Sequence, residues 1–163
     1  MSDISIRPIT PDDSEQITRF LIQAWGASIQ VRRGAILPLE RLPGFIASAQ
    51  GKWVGLVTYE IQECACEITT INSTCSGKGI GTVLIDAVKA VAQQAGCQRL
   101  WLITTNDNLN ALRFYQKRGF VLAALYPNAL EESRKLKPQI PLIGNDGIPL
   151  RDEIELAMYL STR

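Results

Sequence analysis

Histidine is absent from the 163-residue chain, which removes Ser-His and Cys-His nucleophile pairs and leaves a carboxylate, tyrosine, lysine, thiolate or relayed water as the possible general base. Net charge is nearly absent too. With 17 Lys and Arg against 16 Asp and Glu, no global field draws the chain to nucleic acid or to an anionic membrane, so partner choice must be local. No stretch approaches the ~20 apolar residues of a membrane span, and no basic segment leads into an apolar run at the amino terminus. The expectation is a cytosolic protein that uses neither nucleic acid nor membrane. Cysteine is sparse: Cys64, Cys66, Cys75 and Cys97. Without histidine or a second close pair they make no metal set, so no metal is expected. A chain long enough to fold as a single domain over residues 1–163 does not need disulfide staples, and free thiols are expected. Cys64 and Cys66, two apart on a predicted strand, point to one face and not at each other.

What is plentiful in mid-chain is glycine. Ser76-Gly77-Lys78-Gly79-Ile80-Gly81-Thr82 lies between a strand-like run at 67–72 and an amphipathic stretch at 80–95. Glycines at alternate positions let the backbone turn sharply and leave amide N–H groups uncovered, and the first turn of the following helix aims its own orphan N–H groups the same way. A phosphate or pyrophosphate there is favoured by the helix dipole and the open amides. A Walker A loop does not fit, because Gly77-Lys78 is followed by Gly79 where Ser or Thr is needed; a dinucleotide fingerprint wants its third glycine one place later and near the start of the domain. On these residues alone, a phosphate-bearing ligand held by backbone and a plain strand-to-helix connection both remain open.

The rest of the chain supplies an α/β context. Ile4 and Ile6 alternate with Ser5 and Arg7 up to Pro8, a short first strand. Thr10-Pro11-Asp12-Asp13 reads as a helix start, and the helix runs to about Trp25. Residues 25–39, with Gly26, Gly34, Arg32 and Arg33, are expected to be a loop or a broken second helix. Arg32 and Arg33 are there to hold an acidic substrate group or simply to face solvent. Strands at 42–49 and 52–61 are joined by the hairpin signal Gln50-Gly51, and a third antiparallel strand at 64–72 leads into the glycine turn. Ile80, Leu84, Ala87, Val88, Val91 and Ala95 make a 3.6-residue stripe that ends at Gly96. A strand at 99–105 follows, expected parallel to the one before the helix.

The second motif comes at once: Asn108-Leu109-Asn110-Ala111-Leu112-Arg113-Phe114-Tyr115-Gln116-Lys117-Arg118-Gly119-Phe120, a short helix with an apolar side, a basic last turn and a glycine stop. It resembles, at every position, the pattern Asn-x-x-Ala-x-x-Phe/Leu-Tyr-x-x-x-Gly-Phe of the GNAT superfamily of N-acetyltransferases. The glycine turn resembles that family's pyrophosphate loop, Gln/Arg-x-x-Gly-x-Gly/Ala, with Gly79 and Gly81 at the required small positions. Ser76 stands at the Gln/Arg position, so affinity would lean on backbone amides and Lys78. The resemblance covers about residues 4–126. Beyond it, after a strand at 120–126, a long connection at 128–151 with a helical piece at 128–136 and an Asn145-Asp146-Gly147 turn precedes a last strand at 153–160. Loops this long inside a compact domain are often functional; covering the acceptor site, packing on a second subunit and a surface excursion are all open.

The resemblance implies a GNAT fold, a mixed and mostly antiparallel seven-stranded sheet flanked by helices, with acetyl-CoA as cosubstrate and an amine of a small molecule or peptide as acceptor. It implies that Ser76, Gly77, Lys78, Gly79, Ile80, Gly81 and Thr82 grip the pyrophosphate, that the backbone at Ile71 meets the pantetheine arm, and that Asn108 and Lys117 contact the cofactor. Tyr115 is the candidate general acid, since a phenol near pKa ~10 stays protonated at neutral pH. Glu67 is the candidate base, on a strand face expected to be shared with Thr69 and Ile71. The rival class is a non-catalytic acyl-CoA-binding or sensing module. Transfer of a longer acyl group is a further alternative, decided by pocket depth near Phe114 and Trp101. The final strand and the tail loop make a homodimer the expected assembly.

Overall fold

The computed structural model describes residues 3–25, 29–32 and 35–161. In chain order these form β1 (Ile4–Pro8), a 3-10 turn (Pro11–Asp13) running into α1 (Ser14–Trp25), β2 (Ile29–Arg32), β3 (Ala35–Pro38), β4 (Gly44–Ala49), β5 (Lys52–Gln62), β6 (Ala65–Ser73), α2 (Ile80–Gln94), β7 (Arg99–Thr105), α3 (Leu109–Lys117), β8 (Val121–Tyr126), α4 (Ala129–Leu136) and β9 (Glu153–Tyr159). Seven strands make one mixed sheet in the order β1-β4-β5-β6-β7-β9-β8, as the family resemblance implies, and β2 and β3 pair by themselves. The chain divides into two compact units, one of Met1–Ser28, Pro38–Leu100 and Tyr159–Arg163, the other of Ile29–Leu37 and Trp101–Met158.

In the first unit, Asp13 ties the start of α1 to β1. Its carboxylate accepts two bonds from the Arg7 guanidinium at 2.7 and 2.8 Å and one from the Thr10 N–H at 2.8 Å, and the Arg7 bonds hold its pKa well below the usual carboxylate range. Ile17 and Leu21 of α1 are fully buried, as are Ile46 on β4 and Leu56 and Val57 on β5, the last two on opposite faces of the sheet. The β4–β5 hairpin turns on Gln50 and Gly51, both at positive φ (52° and 73°), the combination that matches strand twist in a two-residue turn. On α2 the buried residues are Ile80, Leu84, Ile85, Val88 and Ala92. Of the expected stripe, Ile80, Leu84 and Val88 are buried, Ala87 and Val91 are half-buried and Ala95 is already the exposed cap before Gly96, while Ile85 and Ala92 join the buried face. The helix sits tightly on β5: a Cβ at Gly55 would fall 2.6 Å from Cγ2 of Ile80 and 3.0 Å from Cδ1 of Leu84.

The second unit builds its core from Leu102, Tyr115, Phe120, Leu130, Leu156 and Ala157. Its β8 and β9 pair antiparallel from Val121↔Ala157 to Tyr126↔Glu153 although 26 residues separate the ends of that ladder. The segment expected as a loop or broken helix at 25–39 instead contains the β2–β3 pair. Ile29 and Val31 alternate with Gln30 and Arg32, a period-2 run that the neighbouring glycines Gly26 and Gly34 obscure. Arg33 and the side chain of Arg32, expected as substrate contacts or solvent-facing charges, lie outside the described residues.

The four cysteines are free. Cys64 falls in the exposed turn before β6, not on the strand, whereas Cys66 is fully buried and burial pushes its thiol up to about 12. An aromatic disulfide reagent at pH 8 is expected to titrate Cys64 quickly and to reach Cys66 and Cys97 only on unfolding; rapid reaction of all four in native buffer would contradict this packing.

Candidate functional site

The glycine turn is the chief feature of the first unit. The chain leaves β6 held to β5, with the Thr74 N–H donating to the Val54 carbonyl at 2.9 Å. The Ser73 hydroxyl then donates to the Cys75 carbonyl at 2.9 Å and accepts from the Cys75 N–H at 3.3 Å, closing a tight bend. Gly77 and Gly79 follow at φ 78° and 75°, with nothing within 4 Å of where either Cβ would be. The requirement for glycine is therefore conformational, since the left-handed region costs other residues about 1 kcal/mol or more, and the space above the turn stays open. Gly79 is the N-cap of α2, and the first helical bond runs from the Val83 N–H back to its carbonyl at 3.1 Å. Ile80, seated over Gly55, fixes the height at which the helix begins. Ser76, Lys78 and the two glycines are exposed, and Gly81 and Thr82 are half-buried. Two exposed glycines with open space beside them, an exposed lysine and a helix N-terminus thus follow one another in the turn, a set of groups whose chemistry fits a pyrophosphate.

Along β6 the structure departs from simple alternation. Thr58 pairs with Thr70 and Tyr59 with Ile68, so Thr69 is an extra residue, a β-bulge. Its hydroxyl bonds that of Thr58 at 2.7 Å in the buried interior. Glu67, Thr69 and Thr70 consequently lie on the Thr58 side, while Ile71 pairs with Val57 on the opposite face. The expectation that Glu67 shares a face with Thr69 holds; the expectation that Ile71 shares it does not, because the bulge shifts the parity of every residue after it. Glu67 is buried at 6% exposure and sits across from Glu60.

In the second unit Asn108 caps α3, its Oδ1 accepting from the Ala111 N–H at 3.2 Å. In the last turn of the helix, Tyr115 lies 7% exposed between two rings, edge-on to Phe114 at 5.2 Å and to Phe120 at 5.6 Å. Burial drives its pKa above the ordinary phenol value of 10.0, so the hydroxyl keeps its proton over the whole neutral range. Lys117 is exposed in the last turn. The neighbouring Arg118 is committed elsewhere, stacked 3.5 Å from the Phe114 ring centroid and bonded to the Phe114 carbonyl at 2.9 Å.

Two residues that sequence reasoning passed over stand at the entry to α3. The Asn106 Oδ1 accepts from the N–H groups of Arg151 (3.1 Å) and Asp152 (3.0 Å), and Asp107 Oδ2 accepts from the Asn145 N–H at 2.8 Å. The polar run Thr105-Asn106-Asp107-Asn108 between an apolar strand and a helix is the signal that marks them.

A model of the GNAT acetyltransferase family matches residues 12–120. The Bacillus subtilis protein YdhI is 45% identical over 139 residues, 85% of this chain and 87% of that one. Among solved structures, an IAA acetyltransferase from Bacillus cereus superposes with a TM-score of 0.73 at 23% identity over 97% of this chain and 100% of the other. A GNAT family acetyltransferase from Elizabethkingia anophelis with acetyl-CoA bound gives 0.69 at 22% identity over 98% and 100%. At these identities the structural likeness is one of fold.

Proposed function

Because this chain belongs to the GNAT family of acetyltransferases, we propose that it moves an acetyl group from acetyl-CoA to a primary amine of a small molecule or peptide by direct attack in a ternary complex. The observation that carries this is the open turn at the N-terminus of α2, with Gly77 and Gly79 exposed, in the left-handed region, and with nothing within 4 Å of where their side chains would stand. Acetyl-CoA bound to a protein of the same fold supports it.

In this proposal the amides of 77–82 and the ammonium of Lys78 hold the pyrophosphate. The backbone at Ile71 hydrogen-bonds the pantetheine arm in the manner of an added strand, leaving its side chain on the face away from Glu67. Bound acetyl-CoA supplies an activated acyl group. Glu67 takes the proton from the incoming ammonium, directly or through one water, so that the amine attacks as a neutral nucleophile. Tyr115 gives its proton to the departing sulfur as the carbon–sulfur bond breaks. Asn108, already the cap of α3, and Lys117 complete the cofactor contacts.

The decisive test is acetyl-CoA binding by calorimetry, followed by thiol release across amines, amino acids and peptides. Saturable binding with amine-dependent thiol release is the expected result. Binding without release to any amine would favour an acyl-CoA-binding module, and no binding by folded protein would overturn both. The pH profile of a found substrate carries a sign. With Tyr115 raised above 10.0, kcat/KM should climb as the acceptor loses its proton and show no descending limb below about pH 10. A fall beginning near pH 9 would assign the acid to a different group.

A further inference from the structure

The excursion at 127–152 is strapped to the turn from which α3 begins. Four of its backbone groups meet the side chains of Asn106 and Asp107: the N–H groups of Arg151, Asp152 and Asn145 donate, and the Pro149 carbonyl accepts from Asn106 Nδ2 at 2.9 Å. A fifth bond joins main chains, from the Asn106 N–H to the Asp152 carbonyl at 3.0 Å. Asp107 is 5% exposed, and its second oxygen accepts from the Thr105 hydroxyl. The fit on the other side is steric. A Cβ at Gly144 would stand 2.1 Å from Asp107 Oδ2, so the loop reaches the carboxylate only because that position has no side chain.

The excursion is itself braced, which makes it a rigid strap. Its tip is a narrow hairpin, with the Leu150 N–H on the Leu142 carbonyl at 2.9 Å and the Gly144 N–H on the Ile148 carbonyl at 2.8 Å. Arg134 of α4 donates to the Ile140, Pro141 and Leu150 carbonyls. Asp152 closes the base, accepting from the Asn128 N–H at 2.9 Å. On the far side of the turn the Asn108 N–H bonds the Thr105 carbonyl (3.1 Å) and the Leu109 N–H bonds the Asp107 carbonyl (3.0 Å). The residues gripped by the strap are therefore the ones that launch α3.

We infer that Asn106 and Asp107 are positioning residues: gripped by the 127–152 strap, they set the origin of α3 and so the placement of Asn108 and Tyr115 for acetyl transfer. The inference rests on the proposed transferase reading for its kinetic consequence, and on the hydrogen bonds alone for its structural one. Misplacing a reacting group by about 1 Å costs on the order of 100-fold in rate, and a buried carboxylate that bridges two segments leaves both donors unpaired when it is removed.

The experiment pairs Asp107→Ala with Asp107→Asn, in which one oxygen still accepts from the Asn145 N–H while the amide faces the Thr105 hydroxyl. Gly144→Ala acts on the same contact from the strap side without touching the turn. Amide hydrogen exchange is read at Asn145, Ala111 and Leu112, alongside kcat and the KM for acetyl-CoA. D107A and G144A are expected to accelerate exchange at all three amides and to lower kcat/KM by about 10- to 100-fold, with D107N within about threefold of wild type. Exchange that rises at Asn145 while Ala111 and Leu112 stay protected, with kinetics unchanged, would overturn the inference and leave the strap a packing element. A wild type that neither binds acetyl-CoA nor releases thiol would remove the transferase reading, while coupled exchange at the three amides would still support the strap setting the helix origin.

Discussion

Replacing Gly79 and Gly81 together by aspartate is expected to lower acetyl-CoA affinity by 100-fold or more while the protein stays folded. Two like charges about 5 Å apart at an effective dielectric near 20 repel by about 3 kcal/mol, which alone is roughly 150-fold. The folding cost is small by comparison. Gly79 is an N-cap at φ 75° and ψ 8° with open space around it, a conformation that aspartate tolerates better than most residues. Gly81 is the second helical residue of α2, where a carboxylate gains from the helix dipole when no anion is bound. The signature is thus a variant whose melting temperature is close to wild type and whose calorimetric titration is flat. Retained binding in a folded double variant would place the phosphates elsewhere and remove the observation on which the functional proposal stands.

Tyr115→Phe should cut kcat by a factor on the order of 10² to 10⁴, the range that general acid catalysis contributes, with acetyl-CoA affinity nearly unchanged. The separation is clean here because phenylalanine keeps both edge-on ring contacts, to Phe114 and Phe120, and fills the same buried volume. Loss of kcat with KM unchanged marks an interaction made in the transition state; parallel loss of binding would make the hydroxyl a ligand contact, and an unchanged kcat would reduce it to packing. The high pKa of the buried phenol is consistent with a donor held protonated until the thiolate forms beside it.

Features set by neighbours a few residues away were legible in the sequence. The glycine turn, the short helix of the second motif and its stop at Gly119 depend on backbone preferences at single positions; that Asn108 caps this helix came from the structure. Strand β7 and helix α3 fall where periodicity places them. Features that depend on a partner chain segment were not. The bulge at Thr69 exists only because β5 supplies one fewer residue opposite β6, and no property of the run Glu67-Ile68-Thr69-Thr70-Ile71 announces that count. The β2–β3 pair was hidden by glycines whose punctuation reads equally well as a loop.

The sequence by itself determined the family, the location of the glycine turn proposed to hold the phosphates and the identity of the α3 motif, because each is written in contiguous residues whose local conformational energies favour one outcome. Only the tertiary structure decided that Ile71 turns away from Glu67, that Tyr115 is sealed between two rings, and that the long excursion grips Asn106 and Asp107 across separations of 38 to 46 residues. Contacts at such separations carry no local energetic trace; they form when packing has brought two segments together and each buried donor must find an acceptor.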